Sequence, residues 1–224
     1  MKKHLLIALM TLLSAGSSIA QLTQGEIKFA VGVTSTDASM EMAVSMMAGT
    51  TMSISFSGES SRTDMQMGAM MSMTTVVNAD TDTVLILLGG MMGNTAIVST
   101  SDQLEEIADL EGQPEMEFEL FDETKLVLGY TCKKAVMTDE DGNEVIYWYT
   151  KDIKVASTGQ QHMHEEIPGF PLEFETSQNG MQMNFVATSF SENLSENEKA
   201  LFDTTVPNGY TEMSYEDLKS MGLK

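Results

Sequence analysis

Apolar and polar residues alternate with a period of two along most of this chain, and that periodicity constrains the fold more than any other feature. Ile27, Phe29, Val31 and Val33 share one parity, as do Met52, Ile54 and Phe56. In the stretch from Glu115 to Phe121, Met116, Phe118 and Leu120 fall on one side and Glu115, Glu117 and Glu119 on the other. Leu172 and Phe174 repeat the pattern, followed by Met181, Met183, Phe185 and Ala187. Successive side chains of a strand point to opposite faces, so such runs read as strands with one covered and one wet face, the habit of antiparallel sheets.

Turn-forming residues punctuate the runs. Asn78 to Asp82 separates two apolar segments, Asp139 to Asn143 a second pair, and Ser177 to Gly180 a third. Asn179-Gly180 is a strong hairpin signal. Helical spacing is rare. Met40, Val44 and Met47 predict a helix over Asp37 to Met47, Asp102 with Glu105 reads as a capping box, and Ser195 with Glu198 offers a similar start. Ser214 begins a last helix, with acidic residues near its positive end. The expected class is mainly β with a few helices, the sheet either closing into a barrel or curling to bury a concave face.

The N-terminus reads as a separate signal. Lys2 and Lys3 precede an apolar run from Leu5 to Leu13, and Ser18-Ile19-Ala20 supplies the small residues of a cleavage site. The run is well short of the ~20 residues of a membrane span, and no cysteine follows it for lipid attachment. Residues 1–20 are expected to be a cleaved signal peptide and 21–224 one β-rich domain, periplasmic or secreted, with no membrane span. A formal charge of −21 repels nucleic acid, so neutral, cationic or apolar partners are favoured.

Two motifs carry a family resemblance. The first comprises Leu128, Gly129, Tyr130, Cys132 and Lys133, continued by Trp148, Tyr149 and Thr150; the second is Pro168, Gly169 and Leu172. Together they resemble the bacterial envelope family DUF 4412 and the related GLPGLI-type proteins, although Glu166-Ile167 stands where the latter carry a glycine and a leucine. The resemblance implies a half-barrel like that of the periplasmic lipoprotein carriers: a curved antiparallel sheet with helices packed on its concave face. It implies no reaction. On strand parity alone, Cys132 packs in the core beside Tyr130, Gly129 permits a bulge or close backbone approach, and Pro168-Gly169 turns the chain.

Few residues offer chemistry. The chain has no nucleophile elbow, P-loop or dinucleotide fingerprint, and is read as a non-enzyme without cofactor. His162 and His164, with Glu165 and Glu166, are candidate ligands for Zn(II) or Cu(II). The 21 methionines are the stronger anomaly, because thioether sulfur suits Cu(I). Met65 and Met67, Met70 and Met71, and Met181 and Met183 are the candidates. Their spread over several strands predicts no tight copper site. The favoured reading is a binding module for an apolar or lipid-like ligand. Its cavity is expected between the sheet and the Asp37–Met47 helix, lined by Met40, Val44, Met47, Met52, Ile54, Phe56, Met116, Phe118, Leu120, Met181, Met183 and Phe185. A soft-metal binder and a structural envelope protein with a solid core are the alternatives.

Overall fold

A computed structural model of the chain describes residues 22–68, 70–91, 93–103, 117–138, 142, 144–153, 167–178, 180–215 and 217. The expected signal peptide, Met116, Glu105, His162 and His164 lie outside the described residues, as does most of the Asp139–Asn143 turn.

Strands β1 (Gln24–Ser35), β2 (Thr51–Ser57), β3 (Ser60–Met67), β4 (Met71–Asn78), β5 (Thr83–Gly90) and β6 (Thr95–Ser99) are followed by β7 (Glu117–Val127), β8 (Tyr130–Thr138), β9 (Glu144–Thr150), β10 (Phe170–Gln178), β11 (Met181–Ser191) and β12 (Thr211–Ser214). All belong to one open, curved sheet in the order β12-β6-β5-β4-β3-β2-β1-β11-β10-β9-β8-β7. Every neighbouring pair is antiparallel except β12 on β6. The mainly β class read from the periodicity is therefore the observed one. Two meanders, β2 to β6 and β7 to β11, are joined through β1, which pairs with β2 on one side and β11 on the other.

The period-2 pattern maps directly onto burial in the centre of the sheet. Ile27, Phe29, Val31, Met52, Ile54, Phe56, Phe185 and Ala187 form one buried cluster, each large side chain contributing about 1.5–3 kcal/mol relative to exposure. At the β7 edge the pattern is weaker. Two extra residues of β7 bulge out between Leu120 and Thr124, and Leu120 is 54% exposed.

Helices are short. Asp37 caps a 3-10 turn (Ala38–Met40), its Oδ1 accepting from Ser39 N at 2.8 Å, and α1 (Glu41–Met46) follows. Neither buries a residue. In α2 (Glu198–Leu201) the cap is Asn197, whose Oδ1 accepts from Lys199 N at 2.9 Å, not Ser195. Leu201 and the following Phe202 pack on Val76, Leu85 and Ala96, the face opposite Met73. A capping box forms two residues earlier than the expected Asp102–Glu105 pair, between Thr100 and Gln103, through reciprocal contacts of 3.0 and 3.4 Å. Ser214, read from sequence as the start of a last helix, makes a second such box with Asp217, which the sequence reading did not specify. Among the described residues no helix is long and apolar enough to cross a membrane.

Leu128, Tyr130 and Cys132 share one parity in the sequence and read as one strand, but the Leu128–Tyr130 segment departs from it. Leu128 (φ 51°) and Gly129 (φ 84°) are the two central residues of the β7–β8 hairpin, both left-handed, with Val127 and Tyr130 paired across it. Such a turn normally takes Asn-Gly. Gly129 thus serves a tight turn rather than a bulge, and Leu128 is exposed outside the strand parity of Tyr130 and Cys132.

Candidate functional site

Cross-strand register builds one apolar surface. Phe29 pairs with Met52, Met52 with Met65, and Met65 with Met73, so four adjacent strands present these side chains on one face. From the other half of the sheet, Val31 pairs with Phe185 and Phe185 with Phe174. A bulge between Pro171 and Glu173 sets Pro171 against Tyr149 and Phe174 against Tyr147, which places Pro171 on the same face as Phe174.

Curvature brings the two halves together around a cavity of about 260 Å³. Strands β1 to β4 contribute Phe29, Met52, Ile54, Thr63, Met65 and Met73; β10 and β11 contribute Phe170, Pro171, Phe174 and Phe185. Thr63 is the one polar side chain among them. Phe174 organises the aromatic wall. It stacks on Phe185 with centroids 4.3 Å apart and planes at 11°, meets Phe29 edge-on at 5.9 Å, and lies 6.0 Å from Tyr147. Aromatic pairs in such offset and edge geometries add about 0.5–1.5 kcal/mol beyond area burial, so this wall is stiff. The opposite wall, Met52, Met65 and Met73, is built of flexible thioether chains that change shape at little cost.

Ionic chemistry lies on the other face. A polar groove of about 490 Å³ runs past Glu26, Lys28, Ser53, Asp64, Gln66 and Thr74. Arg62 holds Asp64 through two hydrogen bonds of 2.6 and 2.8 Å, and Thr74 Oγ1 donates to the same carboxylate at 2.6 Å. That pairing raises the guanidinium pKa further, the hydrogen bond being the largest cause. Among the described residues no group of three or more His, Cys, Asp or Glu side chains is placed to hold a metal ion.

Cys132 is fully buried, its Sγ 3.8 Å from Tyr130 O. Burial pushes the thiol pKa up to about 11, the opposite of what a nucleophile needs. Trp148 is partly buried against the core, and the Lys125 ammonium sits 4.5 Å over its ring.

Of the residues proposed from sequence to line a cavity, Met52, Ile54 and Phe185 line this one. Phe56 is buried in the same cluster and Met183 packs against it; Met181 is half-buried at the start of β11. Phe118 packs with Tyr147 and Tyr149, and Leu120 stands exposed at the sheet edge. Met40, Val44 and Met47 of the α1 region are half-buried and contribute nothing to the lining. Met65 lines the cavity, whereas Met67 does not. Sequence reasoning did not name Phe29, Thr63, Met65, Met73, Phe170, Pro171 or Phe174 as lining residues, although it read Phe29 and Phe174 on covered strand faces and Met65 as a metal candidate. Met73 sits in an alternating segment and was within reach of parity, but the bulge that turns Pro171 inward leaves no such trace.

Residues 51–217 match the family described as N-glycanase peptide, N-terminal domain. The chain belongs to that family. The match replaces the DUF 4412 assignment, and the motifs from Leu128 to Leu172 on which that resemblance rested lie inside the matched span. No curated protein matches the chain in sequence. Among solved structures, this N-glycanase-type domain is similar to PNGF-II at 17% identity and a TM-score of 0.47, covering 89% of this chain and 33% of that one. The chain thus spans about a third of the length of PNGF-II. It is also similar to the Mycobacterium tuberculosis lipoprotein LppX, at 9% identity and a TM-score of 0.37 over 78% of this chain and 89% of that one. A LolA superfamily protein from Nitrosomonas europaea matches at 8% identity and a TM-score of 0.24, over 81% and 90%.

Proposed function

We propose that this chain is an exported, non-catalytic binding module whose cavity takes a slim apolar segment such as an acyl chain. One observation carries the reading: a cavity of about 260 Å³ whose ten lining residues include a single hydroxyl and no charge. That volume is slightly below the ~300–1,000 Å³ of pockets for drug-sized ligands, which suits a single chain rather than a fused ring system. Half a dozen buried methylenes at about 0.8 kcal/mol each would supply about 5 kcal/mol, a sub-millimolar affinity before ordering costs. The soft methionine wall accommodates variable contents, and the stacked phenylalanines keep the slot open. Glycan cleavage is no part of this proposal, since the chain corresponds to about a third of PNGF-II.

The test is a fluorescent fatty-acid probe competed by unlabelled fatty acid, on the wild type and on Met73→Phe, which fills the slot from its half-buried rim. Saturable binding that weakens in Met73→Phe supports the module. Absence of binding, or equal binding by both proteins, leaves a structural protein whose cavity is a packing feature.

A further inference from the structure

The β3–β4 hairpin gathers sulfur in a way that methionine counting does not reveal. Met65 pairs with Met73, and two residues further along the same strands Met67 pairs with Met71. Residues two apart on a strand share a face, so all four thioethers stand on one side of one hairpin. Cβ atoms directly across a pair are about 4.5–5.5 Å apart, and successive same-face positions on a strand about 7 Å apart. Four side chains with three rotatable bonds each, rooted on such a rectangle, can bring their sulfurs to a common centre.

The hairpin end is pinned. Gln66 Nε2 donates to Gly68 O at 2.8 Å and to Met71 O at 3.2 Å. The β5–β6 connection is tied to it by Met91 N donating to Met70 O at 3.3 Å. Met70 and Met91 therefore stand beside the quartet. Met71 is 42% and Met91 83% exposed. Core packing accounts for Met65 and Met73 but not for these exposed thioethers.

The geometry points to a soft-cation site on this hairpin: Met65, Met67, Met71 and Met73 bind one Cu(I) ion, with Met70 and Met91 as the sulfurs of first encounter. Thioether donors select Cu(I) over Zn(II), Ca(II) and Mg(II), which take nitrogen, thiolate or oxygen ligands. A formal charge of −21 draws any cation toward the protein. Binding involves no change of oxidation state, since the ion arrives and stays as Cu(I). The site shares Met65 and Met73 with the cavity wall, but Met67 and Met71 lie outside the lining, so substitutions at those two distinguish it from the apolar-ligand reading.

The experiment is an anaerobic titration of the full chain with Cu(I) against a chromogenic Cu(I) chelator. One ion per chain is expected to be withheld from the chelator. Met67→Leu and Met71→Leu, swaps that conserve volume, should each weaken binding by about tenfold or more, and the double variant should lose it; one factor of ten is about 1.4 kcal/mol. Met42→Leu, in the exposed face of α1, should change nothing. Methionine-methyl NMR with Ag(I) as a substitute that resists oxidation reads the same site in the wild type, and the methyls of the quartet, with those of Met70 and Met91, should shift before any others. Failure to compete with the chelator, full retention by the double variant, or first shifts at methionines elsewhere would each overturn the assignment. Unaltered fatty-acid probe binding in Met67→Leu and Met71→Leu keeps this result separate from the cavity's.

Discussion

Replacing Gly169 by alanine tests whether the β9–β10 junction really sets the cavity wall. An alanine Cβ built at this position would lie 2.4 Å from Thr150 O, 2.9 Å from Thr150 C and 2.8 Å from Tyr149 Cδ2. Ordinary contacts begin near 3.4 Å, so the two backbones must separate by about 1 Å. Thr150 cannot easily yield. It is 1% exposed, it is the register partner of Phe170, and its Oγ1 accepts from Asp152 N at 3.2 Å. Overpacking of this kind costs about 1–3 kcal/mol, and contact with backbone on the far side places it at the upper end. Gly169 is not among the glycines with positive φ. Without the clash, alanine would therefore stabilise by about 0.4–1 kcal/mol through the unfolded chain, so the two accounts predict opposite signs. In urea, with a slope of about 2–3 kcal/mol per molar, the midpoint should fall by about 1 M. Because Phe170 and Pro171 line the cavity, affinity for the fatty-acid probe should fall with it. A midpoint that stays or rises would refute the close-approach argument and with it the role given to this junction.

Leu128→Asn should stabilise the protein by about 1 kcal/mol, measured as a raised urea midpoint, because a leucine held in left-handed backbone costs about 1–2 kcal/mol and Asn-Gly is the natural occupant of such a turn. Cys132 should react slowly with thiol reagents in the native state and quickly in denaturant; fast native labelling would contradict its burial. Its folded pKa lies near 11 against an ordinary 9.0. The neutral thiol's contribution to stability is therefore fully present below pH 9 and lost as the pH rises towards 11, and Cys132→Ala should flatten the alkaline limb of a stability–pH profile.

Strand class, most strand positions and the hairpins after Asn78 and Ser177 were legible in the sequence, because period-2 burial and Asn-Gly chemistry are local signals. The failures share one cause: features set by the partner strand. Leu128 shares apolar parity with Tyr130 and Cys132, and only the pairing of Val127 with Tyr130 reveals the turn. Pro171 turns inward because β9 lacks a residue to match Leu172. Met65, Met67, Met71 and Met73 read as scattered sulfurs until register aligns two strands. The cavity was expected from the continuous apolar face, but its second wall comes from β10 and β11, about 100 residues further along the chain than β4, and not from the nearby helix.

The position of β1 in the middle of the sheet has a kinetic consequence. Each meander is made of neighbours in sequence and can form hairpin by hairpin, whereas the pairing of Ile27 with Phe190 joins segments from opposite ends of the described chain. Loop closure over such distances is slow, so docking of β11 onto β1 is the expected late event of folding. The cavity has walls on both sides of that seam and does not exist before it closes. An apolar guest would therefore bind only the zipped state, slow its reopening, and act on the protein as a clasp as much as a cargo.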